Sequence, residues 1–177
     1  MEFNQVLSLR QSNRTFTDQQ VSQEQLAALL KAAMAAPTAM ARFERLHLTI
    51  VQDPAVLEEL NRLFQRSVGD ESAYPTYHAP AIICVSGSVE DEELLMGANV
   101  GCVMENMLLK ATELGLGSVY LFGLFAATRA LSDQTKIPKL LKLPEGFRPV
   151  SAIAVGYPAQ PLAAREIPEE KVAVSWL

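Results

Sequence analysis

Soft ligands are scarce in this chain, with two cysteines and two histidines in 177 residues. Cys84 and Cys102 each lie inside an apolar segment, which excludes a disulfide framework and argues against a thiolate metal site. His47 and His78 are far apart and lack carboxylates at ligand spacing, so no metal centre is expected. Basic charge is short as well. Fifteen Lys and Arg against 20 Asp and Glu leave a formal charge of -5 and a pI near 5.1, with no overall field to draw in nucleic acid or an anionic membrane. No apolar run approaches the roughly 20 residues that cross a bilayer, and MEFNQVLSLR lacks the basic start and apolar run of a signal peptide. These absences lead to the expectation of a cytoplasmic protein without membrane or nucleic-acid partners. There is no G-x-S-x-G nucleophile elbow either. The GLGS at Gly115–Ser118 follows a helix, whereas a dinucleotide fingerprint follows a strand and opens a helix.

What is abundant is apolar surface. With 49% hydrophobic residues, the length suits one domain over 1–177 with a good-sized core. Residues 3–10 read as a short helix. VSQEQLAALLKAAMAAP reads as a second, with Ser22 and Gln25 as a capping pair and Pro37 just past its end. LHLTIVQDP alternates Leu46, Leu48 and Ile50 on one face, then supplies Asp53 and Pro54 to start the helix AVLEELNRLFQR. SVGDESAYPTY has loop composition, and APAIICVSG after it is a short apolar run of the buried-strand type. Glu90 to Leu114 predicts a long helix stopped by Gly115, with the EDEE run at its positive end. GSVYLFG and RPVSAIAVGYP predict two more strands, with a helical stretch between them that starts near Thr128 and is broken by Pro138. The order ααβαβαβαβ implies helices around one central sheet.

Two features leave alternatives open on the residues alone. The long helix is apolar around nearly its whole circumference, from Leu94 to Leu114, so it needs cover on all sides. A second subunit would supply that cover, and so would the chain's own other helices. Met96, Met104 and Met107 on it read as adaptable core packing. In LRQSNRTF, an extended chain would point Arg10, Ser12 and Arg14 the same way. Two guanidinium forks and a hydroxyl make an anion cradle suited to phosphate. The other reading is a solvated helix end whose arginines complement the helix's negative pole.

Taken in order, LRQSNRTF, VSQEQLAALLKAAMAAPTA, HAPAIICV, ENMLLKATELGLGSVYL and LPEGFRPVSAIAVGYP resemble the nitroreductase family of flavin enzymes over almost the whole chain. The resemblance implies a three-layer α+β domain, a central mixed sheet flanked by helices, in an intertwined homodimer. It also implies two FMN molecules at the subunit interface, held by residues of both chains. By the same resemblance, NADH or NADPH donates electrons through the flavin to nitroaromatics, quinones or similar acceptors, by a ping-pong mechanism with no catalytic side chain. Position by position, Arg10, Ser12 and Arg14 match the family's cofactor-binding triplet. Thr38 and Ala39, with Met40 after them, match residues bordering the flavin. Tyr120, Leu121, Phe122 and Gly123 match the segment under the isoalloxazine, with a backbone donor at Gly123. Arg165 matches a late basic residue at the phosphate.

The chain departs from the family pattern after APTA. An asparagine is usual there, then Gln-Pro-Trp, and this chain has MARFERLH. The asparagine position falls on Ala41 or Arg42, and Phe43 to Leu46 replace the tripeptide. Ala163 stands where some members have a second late basic residue, with Lys171 nearby. These changes keep open a second reading, a nitroreductase-fold dimer with weak or lost flavin binding that serves as a small-molecule binding or flavin storage module.

Overall fold

Alternate residues of the run AIICV serve two different cores, which is why it is apolar without interruption. The structure, a computed structural model, describes residues 1–168 and 171–177. In it β2 (Ala81–Ser88) is buried from end to end and pairs with β4 (Phe147–Gly156), placing Ile82 opposite Ala154, Ile83 opposite Ile153 and Cys84 opposite Ala152. With β1 (Leu46–Val51) and β3 (Gly117–Tyr120) outside them, the sheet order is β1-β2-β4-β3, and every neighbour is antiparallel. The parallel part that a mixed sheet requires is thus confined to one bridge, between Ser12 and Ser118. Ile83, Val85, Ile153 and Val155 face α2 (Gln23–Met34) and α4 (Glu93–Glu113). Ile82, Cys84, Ala152 and Ala154 face α3 (Pro54–Val68), α5 (Phe122–Thr128) and α6 (Lys136–Leu140). Helices therefore cover both faces of the sheet, giving three layers. The buried Cys84 thiol has its pKa pushed up by desolvation, and among the described residues no cluster of His, Cys, Asp and Glu could hold a metal ion. No described helix is long and apolar enough to cross a membrane.

Local signals set the helix ends. Ser22 and Gln25 form a reciprocal capping box, each side chain accepting from the other's N–H at 3.1 Å. Asp53 accepts from the Ala55 N–H, and Pro54 opens α3 where its missing N–H costs nothing. α4 ends in a Schellman motif, with the N–H of Leu116 on the Ala111 carbonyl, that of Gly115 on Thr112, and Gly115 at φ 73°. α1 (Phe3–Leu9) stops one residue short of the expected span.

Three expectations need correction. The helical stretch expected to start near Thr128 does not, because α5 ends at that residue and α6 starts only at Lys136. GSVYLFG is not a strand throughout, because the chain leaves the sheet after Tyr120, with the Leu121 N–H on the Ala152 carbonyl. Leu124, Phe125 and Thr128 then bury one face of α5, a helical periodicity that the preceding strand pattern masks. Pro138 does not break a helix. It is the third residue of α6, where backbone N–H groups have no intrahelical acceptor.

The chain's own helices also fail to enclose α4. Met96, Val103, Met104 and Met107 are buried, but Gly97, Ala98, Gly101 and Cys102 lie exposed, and Leu94 keeps 85% of its surface. Gly156 marks the tightest packing beside the candidate site, since a Cβ there would lie 2.6 Å from Cδ of Pro80 and 3.0 Å from Phe16. Gly156→Ala should lower the unfolding free energy by about 1–3 kcal/mol through overpacking, read as a lower denaturation midpoint at unchanged m-value.

Candidate functional site

The LRQSNRTF segment leaves α1 at Arg10 in extended geometry, φ -62° and ψ 115°. It runs along the outer edge of β3. Ser12 bridges Ser118, the Asn13 N–H donates to the Ser118 carbonyl at 2.9 Å, and Thr17 donates to Tyr157 at 2.9 Å. From the far end of the chain Arg165 docks on the same segment. Its N–H donates to the Ser8 carbonyl at 3.1 Å and its Nε to the Arg10 carbonyl at 3.1 Å. Arg14 lies over the Tyr77 ring, its guanidinium carbon 5.8 Å from the centroid, within cation–π range. No carboxylate of the described residues forms an ion pair with Arg10, Arg14 or Arg165. Three cations on one short stretch of an acidic chain, two fixed by backbone or ring contacts, leave their charge open to an anion.

Tyr77 joins these arginines to a cavity. On one side of a space of about 330 Å³ are Tyr120, Leu121, Phe122, Gly123 and Leu124; on the other are Ala73, Tyr74, Pro75 and Tyr77. That is the lower end of the range for small-molecule sites. Gly123 lies in the first turn of α5 rather than at a strand end, and there its N–H lacks an intrahelical acceptor. A Cβ on it would meet nothing within 4 Å, so the space over this backbone is open. Phe122 beside it is 65% exposed. The sequence reading named Tyr120–Gly123 but not the facing wall. Its signal was the crowding of Tyr74, Tyr77 and His78 into one loop, where Tyr74 and His78 stack with centroids 3.7 Å apart.

Thr38, Ala39 and Met40 are held elsewhere. They do not line this cavity, so one chain does not gather all the expected site residues. The Ala39 N–H donates at 2.9 Å to Oδ1 of Asn99 on α4, a buried polar residue that sequence reading passed over in an apolar helix. Thr38 Oγ1 is buried without a hydrogen-bond partner among the described residues. Met40 and Ala41 follow in the left-handed region at φ 56° and 53°, a conformation that strains non-glycine residues. Among the MARFER residues, Arg42 is exposed and forms no ion pair with a described carboxylate, while Arg45 pairs with Glu90.

The nitroreductase family model matches residues 7–157. The chain belongs to the nitroreductase family. An Archaeoglobus fulgidus protein provisionally named NADH dehydrogenase/NAD(P)H nitroreductase is 29% identical over 150 residues, 84% of this chain and 81% of that protein. A nitroreductase with bound FMN from Bacteroides fragilis superposes at a TM-score of 0.78 with 26% identity, over 99% of this chain and 100% of the other. Another with bound FMN, from Desulfitobacterium hafniense, reaches a TM-score of 0.86 at 21% identity, over 99% and 100%. This member of the family therefore shares the fold of these solved structures, here with helices on both faces of an antiparallel sheet.

Asn99→Ala should remove the acceptor that fixes Ala39, at a cost of about 1–3 kcal/mol. Hydrogen exchange at residues 38–41 should accelerate while the α2 capping box keeps its protection.

Proposed function

We propose that this chain is an FMN-dependent oxidoreductase that takes electrons from NADH or NADPH and passes them to nitroaromatics, quinones or similar acceptors. The observation that carries this reading is the cationic stretch at Arg10, Arg14 and Arg165, without acidic partners among the described residues, joined through Tyr77 to the Tyr120–Gly123 cavity. These residues fit a flavin mononucleotide. Guanidinium forks suit its phosphate, aromatic walls suit its ring, and an open backbone with an unused N–H at Gly123 suits its polar edge. When bound, the flavin supplies hydride acceptance and onward electron transfer, and the protein supplies position, electrostatics and exclusion of competing reactions. Arg10, Arg14 and Arg165 would hold the phosphate, with Ser12 beside them, and Gly123 would donate its N–H to the ring. One small cavity supports alternation of donor and acceptor in the same place, a ping-pong scheme. A donor drawn from the nicotinamide pool accords with work in the cytoplasm.

The working unit in this reading is a homodimer of single-domain chains with flavin at the interface. The exposed Leu94, Ala98 and Cys102 of α4 and the exposed Val172, Val174 and Trp176 near the carboxyl end leave apolar surface for a second copy to cover. That copy would bring its Thr38–Met40 turn to the first chain's arginines.

Protein given FMN should show flavin absorption bands that bleach anaerobically with NADH or NADPH, which also identifies the donor. Replacing Arg10 and Arg14 together by alanine should weaken FMN binding by on the order of 100-fold or more, from two lost charged contacts, with the size-exclusion volume unchanged. Full flavin retention in that variant would remove both from the phosphate site.

A further inference from the structure

Asn61 is wholly buried in α3 between Leu60 and Leu63, two residues of the hydrophobic core. A carboxamide there bears a desolvation cost that an apolar residue would not. Its hydrogen bonds show what offsets that cost. Nδ2 donates to the Leu57 carbonyl at 3.0 Å, while Oδ1 accepts from both the hydroxyl (3.0 Å) and the N–H (3.3 Å) of Thr76, itself 1% exposed. α3 grips the same loop at two further points. The Tyr74 hydroxyl donates to Glu58 at 2.7 Å, and the Gln65 amide donates to the Ala73 carbonyl at 2.9 Å. Glu58, Asn61 and Gln65 recur at i, i+3 and i+7, one stripe of the helix, and each secures one residue of the loop that walls the cavity opposite Tyr120–Gly123.

The backbone just past the central grip is strained. Tyr77 and His78, immediately after Thr76, both adopt φ 54°. Non-glycine residues keep such geometry only where the surroundings over-determine it. Asn61 anchors the one buried residue at the entry to this turn, and the turn aims Tyr77 at the cavity and under Arg14.

We infer that Asn61 is a positioning residue for the acceptor pocket: through Thr76 it holds the Tyr74–Tyr77 wall against Tyr120–Gly123, and Tyr77 is the side chain through which that wall selects acceptors. This rests on the flavin oxidoreductase reading above. Deleting the grip should let the wall move and change discrimination between acceptors of different size, whereas a merely structural hydrogen bond would change stability alone.

The test compares kcat/KM for menadione and for the smaller 1,4-benzoquinone in FMN-loaded wild type, Asn61→Leu, Thr76→Val, Thr76→Ser and Tyr77→Ala. Thr76→Val and Asn61→Leu should shift the ratio of the two values by roughly fivefold or more, mainly through KM, the signature of altered binding rather than altered chemistry. Thr76→Ser, which keeps the hydroxyl, should restore the wild-type ratio. Tyr77→Ala, at a partly buried loop position on the margin of the core, should shift the same ratio and keeps the inference testable if Asn61→Leu does not fold. FMN content should stay near wild type in the Asn61 and Thr76 variants, and Tyr77→Ala, whose ring lies under Arg14, is assayed at saturating FMN so that only the acceptor ratio is read. A ratio within about twofold of wild type in both Thr76→Val and Tyr77→Ala would overturn the inference, even with a lowered Tm. A wild type that takes up no FMN would instead overturn the oxidoreductase reading, and the inference with it.

Discussion

The constraint on which the rest of the structure depends is burial of β2 on both faces. A strand with no solvent-facing side chain needs a helical layer above and below it, and it needs a partner on each edge to satisfy its backbone. β4 and β1 supply the edges, α2 and α4 one face, and α3, α5 and α6 the other. Each function-bearing segment then emerges from the rim of this layered block. The Arg10–Arg14 stretch is stitched to the edge of β3, Tyr120–Gly123 is where β3 turns into α5, and the Tyr74–Tyr77 loop bridges α3 and β2. The fold fixes the spacing of these three segments, and Arg10, Ser12, Arg14, Tyr120 and Phe122 of the proposed site lie outside both core clusters.

Cations on the rest of the surface are of two kinds, and Arg42 and Arg66, like the rim arginines, pair with no described carboxylate. Arg62, Lys110, Arg129 and Arg148 each pair with a carboxylate, and Glu93, which takes both Arg129 and Arg148, is held below the usual carboxylate range chiefly by its hydrogen bond with Arg129. Around residues 8–14 the Arg165 guanidinium is held instead by the Arg10 carbonyl and that of Arg14 by an aromatic ring. A carbonyl aims a guanidinium without neutralising it, so its charge is kept.

Much of this was legible in the sequence where a local rule decides the outcome. The Ser22–Gln25 capping box, Asp53–Pro54, the C′ glycine Gly115 and the alternation of Leu46, Leu48 and Ile50 are short-range patterns, and each is present as read. Elements that depend on tertiary contacts were not legible. α5 hides behind a strand-like run because its helical face is defined only by packing on β4. The Tyr74–Tyr77 wall reads as loop composition, since its shape comes from hydrogen bonds to a helix 8 to 16 residues earlier. Asn61 and Asn99 are buried carboxamides in helices that carry other polar residues, and only their partners show what they do.

Those two asparagines reveal a shared device. Asn61 holds Thr76, directly before Tyr77 and His78; Asn99 holds Ala39, directly before Met40 and Ala41. These four residues and Lys142 are the non-glycine positions with positive φ among the described residues. In both cases a helix of the rigid block sends one buried carboxamide to the residue that precedes a left-handed pair. A left-handed conformation costs a side-chain-bearing residue roughly 1–2 kcal/mol, so a turn with two of them would relax if its entry were free. Glycines would have made the turns without strain, but also without side chains and with more freedom to move. Keeping Tyr77 and Met40 at these positions commits the chain to strain and to the buried amides that resist it. The result is a pair of preorganised turns, one beside the arginines and one on the opposite side of the sheet.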